Sequence, residues 1–159
     1  MSIVPLSEAK AHLRLEPDFP DAQLAGKLAA AEQRAAHFIN RAIFASDTDL
    51  QTAIAAVPQQ LADAGTAFRA ALEAAAALPD QDAALLMKDA AWRAYTAAIT
   101  AARETASGIV ATEDIKAAIL LTLGHLFNNV SDVEVGTIVT PMDYGAQYLL
   151  MPHRIGWGG

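Results

Sequence analysis

The sequence predicts an all-α protein: a small helical bundle with an inserted alanine-rich helical hairpin, a short β strand or hairpin near 133–140, and an extended C-terminal tail. Apolar residues recur at spacings of three and four over several segments, which is the period of a helix with one buried face. Alanine, the best helix former, fills 23 of the 63 positions from 45 to 107. The chain has no cysteine, so apolar burial, and not disulfides or zinc–thiolate ligation, must hold the helices together.

Length and charge argue against several classes of protein. A chain of 159 residues is typical of one domain, or of one domain with an insertion. Its 11 basic and 18 acidic residues give a net charge of −7, the opposite of a surface that grips nucleic-acid phosphates. No apolar run approaches the roughly 20 residues that span a bilayer, and the first residues lack the basic start and apolar core of a signal peptide. We therefore expect a soluble, acidic protein made in a cytoplasm.

Two helices are predicted in the first 44 residues. Leu6 opens a short helix that Ser7 caps, and two prolines then end it. A long amphipathic helix starts at Asp18 or Asp21 and runs to about Ile43. Its predicted buried stripe consists of Leu24, Leu28, Ala31, Ala35, Phe38, Ile39 and Ala42.

Residues 45–108 are predicted to form the inserted hairpin. Pro58 suits the first turn of its first helix, which follows a brief helical segment and extends to about Leu78. The second helix spans about 82–106 and ends at the following serine and glycine. The predicted contacts between the two helices join Leu61, Phe68 and Leu72 to Leu85, Trp92 and Ile99.

The last third of the chain is predicted to hold the central helix and the tail. Thr112 caps a helix whose residues 115–127 are apolar nearly all round, so we expect it to be buried in the middle of the bundle. Valine and isoleucine between 133 and 139 favour the short strand or hairpin. The predicted organisation is therefore a single domain with its core in 1–44 and 109–140, the hairpin inserted between them, and a docking tail in 141–159.

The tail is predicted to be an interface. Its aromatic, aliphatic, proline and arginine residues form a segment too short for a core of its own, so they need another surface to lie on. Packing within the same chain is the alternative for its leucines, and a solvated position is the alternative for its arginine. The predicted interface residues are Tyr144, Tyr148, Leu149, Leu150, Pro152, Arg154 and Trp157.

The sequence gives little evidence for catalytic or metal-binding residues. His125 lies within an apolar helix, where a packed histidine is more typical than a ligand, and the other histidines have no partners at metal-site spacings. The aspartate pairs at 47 and 49 and at 80 and 82 are more typical of helix caps than of an ion site. The sequence has no glycine-rich phosphate loop and no Glu-x-x-His motif. We therefore predict no enzyme activity, no catalytic, cofactor-binding or metal-binding residues, and no cofactor.

Four segments, in this order, resemble the head–tail connector (adaptor) proteins of tailed phages. They are the Leu-Ser-Glu-Ala-Lys-Ala-His-Leu helix from Leu6, the long helix ending Asn-Arg-Ala-Ile at Ile43, the Asp-Ile-Lys-Ala-Ala-Ile-Leu-Leu-Thr-Leu-Gly-His-Leu-Phe-Asn-Asn segment from Asp114, and Leu-Leu-Met-Pro-His-Arg at 149–154. The alanine-rich hairpin departs from the family pattern, because most compact members lack it.

The resemblance implies a virion protein at the head–tail interface, assembled in the cytoplasm of a bacterial host. It implies a ring, usually of twelve subunits, beneath the portal protein, with the tail-side stopper or head-completion protein as the next partner. DNA would pass through the ring without specific binding, and the acidic net charge fits that role because it repels phosphates. The alternatives from the residues alone are a helical interaction or regulatory module unrelated to virions and, less well supported, a metal–carboxylate bundle.

Overall fold

A computed structural model describes residues 2–128 and 143–156, apart from the side chains at 143 and 144. The predicted strand or hairpin at 133–140 lies outside these residues. The elements, in chain order, are α1 (Leu6–Leu13), α2 (Asp21–Ile39), β1 (Ile43–Phe44), α3 (Asp47–Ala76), α4 (Gln81–Ala106), β2 (Ile109–Val110), α5 (Glu113–Asn128), α6 (Asp143–Leu150) and a 3-10 turn (Met151–His153). Two compact units result: unit 1 comprises 1–47 and 109–159, and unit 2 comprises 48–108. The all-α prediction is confirmed.

The core of unit 1 surrounds α5, as predicted for this helix. Ile115, Ile119 and Leu123 are completely buried, and α5 contacts α1, α2 and α6. Five of the seven residues in the predicted α2 stripe are also buried; Phe38 and Ala42 are half-buried. The buried residues of this core are Val4, Ala9, Leu24, Leu28, Ala31, Ala35, Ile39, Ile115, Ala118, Ile119, Leu120, Leu123, Ala146 and Leu150.

The boundaries of α1 and α2 differ from the prediction. Ser7 does not cap α1, because the helix already begins at Leu6 and the carbonyl of Pro5 accepts its first backbone hydrogen bond, from Ala9 N at 3.0 Å. α2 starts at Asp21 and stops at Ile39, four residues early. The next residue, Asn40, adopts the left-handed conformation with φ of 56°, which asparagine tolerates and which ends a helix.

The residues after α2 form a parallel two-residue ladder that the sequence did not reveal. Ile43 pairs with Ile109 and Phe44 with Val110. Ile109 N donates to the carbonyl of Ala42 at 2.9 Å, and Ala111 N donates to the carbonyl of Phe44 at the same distance. The ladder therefore brings the chain positions just before and just after unit 2 side by side.

Unit 2 consists of α3 and α4. Asp80 caps α4, as predicted: its carboxylate accepts hydrogen bonds from the N–H groups of Asp82, at 2.9 Å, and Ala83, at 3.3 Å. Aromatic rings connect the two helices, since Phe68 stacks on Tyr95 with ring centroids 4.9 Å apart and lies 5.8 Å from the ring of Trp92. The predicted contact between Phe68 and Trp92 is present, but Trp92 is not buried in a hairpin core: its exposed fraction is 56%, and that of Leu85 is 66%.

The predicted break before Pro58 is also wrong. α3 runs without interruption from Asp47 to Ala76, with Pro58 inside it. Proline has no N–H, so the carbonyl four residues earlier, at Ile54, receives no helical hydrogen bond from this position. The alanine-rich sequence on both sides favours helix strongly enough to continue across the proline.

The tail, predicted to be extended with one or two helical turns near 145–150, is helical at that position and continues as a helix beyond it. α6 covers Asp143–Leu150 and continues into the 3-10 turn. Ala146 and Leu150 are four residues apart, so they share one helix face, and both are buried in the core of unit 1. The segment is therefore ordered by its own subunit, and the expectation that it needs a second surface to become ordered is wrong.

Candidate interaction surface at the C-terminus

The C-terminal helix has one buried face and one exposed face. Ala146 and Leu150 lie in the core, and Leu149 is half-buried against it. On the other side, Tyr148 has an exposed fraction of 79%, the largest among the big apolar side chains that the structure describes. Burial of the inner face fixes the direction in which this outer side chain points.

Three further apolar residues extend the exposed face. Met151 and Ile155 have exposed fractions of 42% and 43%, and Pro152 is also exposed. Met151 and Pro152 follow Tyr148 by three and four residues, the spacing that keeps side chains on one side of a helix. We call Tyr148, Met151, Pro152 and Ile155 the C-terminal ridge. Exposed apolar residues scattered singly are ordinary, but a contiguous strip of them is typical of an interaction site.

One backbone and two side-chain hydrogen bonds hold the end of the ridge against the end of α2. Ile155 N donates to the carbonyl of Ile39 at 3.0 Å. Asn40 Nδ2 donates to the carbonyl of Ile155 at 3.0 Å, and Arg41 Nη1 donates to the carbonyl of His153 at 3.4 Å. The left-handed conformation of Asn40 thus ends α2 and also leaves its side chain in position to hold the tail.

A side-chain ion pair ties the same segment to the start of α5. His153 Nε2 donates to Asp114 Oδ2 at 2.6 Å, and the Thr112 hydroxyl donates to the other carboxylate oxygen. The hydrogen bond from His153, followed by that from Thr112, lowers the pKa of Asp114 from its ordinary 3.8 to about 2. The carboxylate of Asp114 therefore stays charged at neutral pH.

The arginine of the tail packs on an aromatic ring. Arg154 is half-buried, and its guanidinium carbon lies 5.2 Å from the centroid of the Phe38 ring. A guanidinium over a ring face is a favourable cation–π arrangement. Arg154 therefore helps hold the tail on α2, which leaves the ridge as the outward part of the segment.

The structure separates the predicted interface residues into three groups. Tyr148 and Pro152 are exposed and belong to the ridge. Leu149 and Arg154 are half-buried. Leu150, with an exposed fraction of 3%, lies in the core of its own subunit, so its surface is already occupied, and the expectation that it contacts a partner is not supported. The Tyr144 side chain and Trp157 lie outside the described residues.

Several residues that shape this surface were missed. Met151 and Ile155 belong to the ridge, and Asn40, Arg41 and Asp114 hold the tail in place. Asp114 and His153 are 39 residues apart in sequence, and nothing in the local pattern of either one signals the contact. Ala146 and Leu150 are four residues apart and Tyr148 and Met151 are three apart, which is helical spacing, but all four are apolar, so the spacing does not tell which pair is buried.

Neither a metal-binding cluster nor a membrane-spanning helix is present in the described parts of the chain. Within residues 2–128 and 143–156, no group of three or more histidine, cysteine, aspartate or glutamate residues is arranged to hold a metal ion. None of the helices there is long and apolar enough to cross a membrane.

Comparison with known proteins identifies one family. The family model described as phage gp6-like head-tail connector protein matches residues 4–154. The match includes both units and extends through α6 to Arg154. No curated protein and no solved structure matches the chain significantly.

Proposed function

This chain belongs to the family of phage gp6-like head–tail connector proteins, and we propose that it forms a ring beneath the portal protein. Membership of the family makes it a structural component of the phage head–tail connection. In this role it extends the channel for DNA and offers a docking surface to the next tail-side protein. The observation that carries the proposal is the family match over residues 4–154.

The C-terminal ridge supports a docking role. Its outer side chains are apolar and exposed, while its inner face and its hydrogen bonds fix it on unit 1. A surface that is already rigid loses little conformational entropy on binding, which favours affinity. We propose that Tyr148 and Pro152, together with Met151 and Ile155, contact the portal or a neighbouring subunit.

The net charge supports the proposed channel. A ring of subunits that each carry −7 repels the phosphates of passing DNA, so that DNA does not adhere to the wall. The same charge makes specific DNA binding an unsuitable role for this protein. We propose that the ring assembles in the host cytoplasm, where the virion is built.

Unit 2 fits the proposal as an insertion. The β1–β2 ladder pairs Ile43 with Ile109 and Phe44 with Val110, so the chain leaves unit 1 and returns to it at neighbouring positions. We propose that 45–108 is inserted into a single connector domain formed by the remaining chain.

The alternative of a module unrelated to virions predicted that residues 149–154 pack within the chain. That packing is observed, with Leu150 in the core. However, packing of the inner face is compatible with a docking role for the outer face, and the family match over residues 4–154 favours the connector.

Electron microscopy of a mixture with the portal ring of the same phage tests the proposed function. We expect a second ring stacked on the portal, and a loss of that ring when Tyr148 is replaced by serine. Gln33→Ser is the matched control, because Gln33 is exposed on the middle of α2. A portal ring that never acquires the second layer with the unaltered chain would contradict the proposal.

A further inference from the structure

We propose that the C-terminal ridge of one copy seats in an apolar groove between α1 and the start of α2 of a second copy. This inference rests on the proposed function and deepens it, because it names the two faces through which neighbouring subunits of the ring meet.

The groove has a volume of about 380 Å³ and lies in unit 1. Its walls are formed mainly by aliphatic side chains and by the stem of a lysine. The residues that line it are Leu6, Ser7, Lys10, Ala11, Leu15, Pro17 and Asp21. Contact with a convex apolar partner removes such a concave apolar surface from water, which is favourable in free energy.

The groove is preformed. Lys10 Nζ donates to the carbonyl of Pro17 at 2.7 Å and lies 2.8 Å from Asp21 Oδ1. One side chain thus joins α1, the loop after it and the first residue of α2. Because the walls are already connected, a partner that enters the groove does not need to order them.

The ridge has the complementary chemistry. Met151, Pro152 and Ile155 supply apolar surface of the kind that lines the groove. Tyr148 adds a ring with a polar end, and the groove offers a matching acceptor, since the side chain of Asp21 is 65% exposed at its rim. A tyrosine that buries its ring and keeps a hydrogen bond is typical of interface centres.

Charge also favours the pairing. The groove side, residues 6–21, carries four acidic and two basic residues, a net charge of −2. The ridge side, residues 144–156, carries one arginine and no acidic residue, a net charge of +1 when its histidine is counted as neutral, as the histidine at position 12 is in the groove side. Opposite signs on two faces orient them during encounter and disfavour contact between two copies of the same face.

In one chain, the Asp21 end of the groove and the Ile155 end of the ridge lie at opposite ends of α2. The groove lies at Asp21, the first residue of α2, and the ridge is hydrogen-bonded to Ile39, the last. At a rise of about 1.5 Å per residue, these ends are roughly 27 Å apart along a rigid helix. The contact must therefore join two copies, ridge to groove, and such a head-to-tail interface repeats around a ring.

Cross-linking between two single-cysteine variants tests the pairing. The chain has no cysteine, and Ala11 in the groove and Met151 in the ridge are both exposed, so Ala11→Cys and Met151→Cys introduce one reactive thiol each. The two variants are mixed and treated with a short bismaleimide, with and without the portal ring. We expect a cross-linked dimer in the mixture, and a ladder of higher oligomers from the double variant.

The controls distinguish this contact from others. Gln33→Cys replaces Ala11→Cys as an exposed position away from the groove, and thermal unfolding followed by circular dichroism checks that each variant folds. No dimer in the mixture, with or without portal, overturns the pairing. It is equally overturned if Met151→Cys cross-links only to itself, or if Ala11→Cys cross-links to the portal.

The same samples separate failure of the pairing from failure of the proposed function. If the portal ring still binds the chain but no ridge-to-groove cross-link forms, the pairing falls and the connector function stands. If the portal ring does not bind the unaltered chain at all, the connector function itself falls.

Discussion

Unit 1 and unit 2 are both helical, yet different forces hold them. In unit 1, α2 and α5 approach closely and bury whole leucine and isoleucine side chains. Within 48–108, all of which is described, α3 and α4 are longer but their backbones approach each other at few positions. Leu50 and three alanines are the buried residues of unit 2, and six of its large apolar side chains are exposed: Leu61, Leu78, Leu85, Leu86, Met87 and Trp92.

The difference shows that amino-acid composition decides whether tertiary packing or helix propensity contributes most to the stability of a helical unit. Full burial of a leucine or isoleucine contributes about 1.5–3 kcal/mol, so unit 1 is stabilised by tertiary packing. Alanine contributes little area but has the highest helix propensity. The hairpin is therefore stabilised mainly by local helix formation and by the ring contacts of Phe68, Tyr95 and Trp92.

The comparison predicts its largest effect for a leucine in the core of unit 1. Leu123→Ala removes a completely buried side chain from α5 and should lower the free energy of unfolding by about 2–5 kcal/mol. Leu85→Ala, the matched change at an exposed position of unit 2, should lower it by less than about 0.5 kcal/mol. Urea titrations followed by circular dichroism measure both. Equal losses would show that the hairpin has a core of the same kind.

Overpacking of the hairpin should have the next largest effect. Ala75 is completely buried, so Ala75→Leu must displace its neighbours and should cost about 1–3 kcal/mol. Ala74→Leu, at an exposed position of the same helix, should change stability by less than about 0.5 kcal/mol. Urea titration measures the free energy of unfolding of both variants. An unchanged free energy for Ala75→Leu would show that this site is not tightly packed.

Removal of the internal proline should strengthen α3. Pro58→Ala restores an N–H that can donate to the carbonyl of Ile54, and we expect a gain of about 1 kcal/mol after the loss of the proline's rigidity in the unfolded chain. Hydrogen exchange should slow in the peptides around position 58. Ala55→Pro, three residues earlier in the same helix, should have the opposite effect; similar exchange in all three proteins would contradict the argument.

The smallest predicted effect is a change in pH dependence in unit 1. The hydrogen bonds from His153 and Thr112 lower the pKa of Asp114 to about 2 in the folded state. Since the folded pKa lies below the ordinary 3.8, the stabilisation is complete above about pH 4 and is lost as the pH falls towards 2. Asp114 is partly exposed, so the contribution is below about 1 kcal/mol.

Asp114→Asn should remove this part of the pH dependence. The difference in unfolding free energy between the unaltered chain and the variant should be larger at pH 6 than at pH 3. Asp18→Asn, an exposed residue in the loop before α2, is the control. A difference that grows as the pH falls would reverse the assigned sign.

Prediction from the sequence succeeded where the signal is local. The buried stripe of α2, the cap at Asp80 and the central position of α5 all follow from spacing and capping within a few residues. It failed at Pro58 and Asn40, where a residue has two possible uses. Pro58 can begin a helix or lie inside one with a hydrogen bond missing, and it lies inside α3. Asn40 can continue a helix or end it in the left-handed conformation, and it ends α2.

The candidate surface was predicted only in part, for a related reason. Tyr148 and Pro152 were identified from their composition, but composition does not tell which face of a short helix is buried. That depends on the apolar surface of α5 against which α6 packs. Leu150 was therefore assigned to a partner although its own core contains it.

By itself, the sequence determined the helical class and the buried faces of α2 and α5, because helical periodicity acts over a few residues. The order of its segments along the chain also indicated membership in the connector family. The tertiary structure alone decided the β1–β2 ladder, the Asp114–His153 pair and the side of the tail that faces outward. Each of these depends on segments that are tens of residues apart, and their contact is set by how the α5 core packs and not by any local preference.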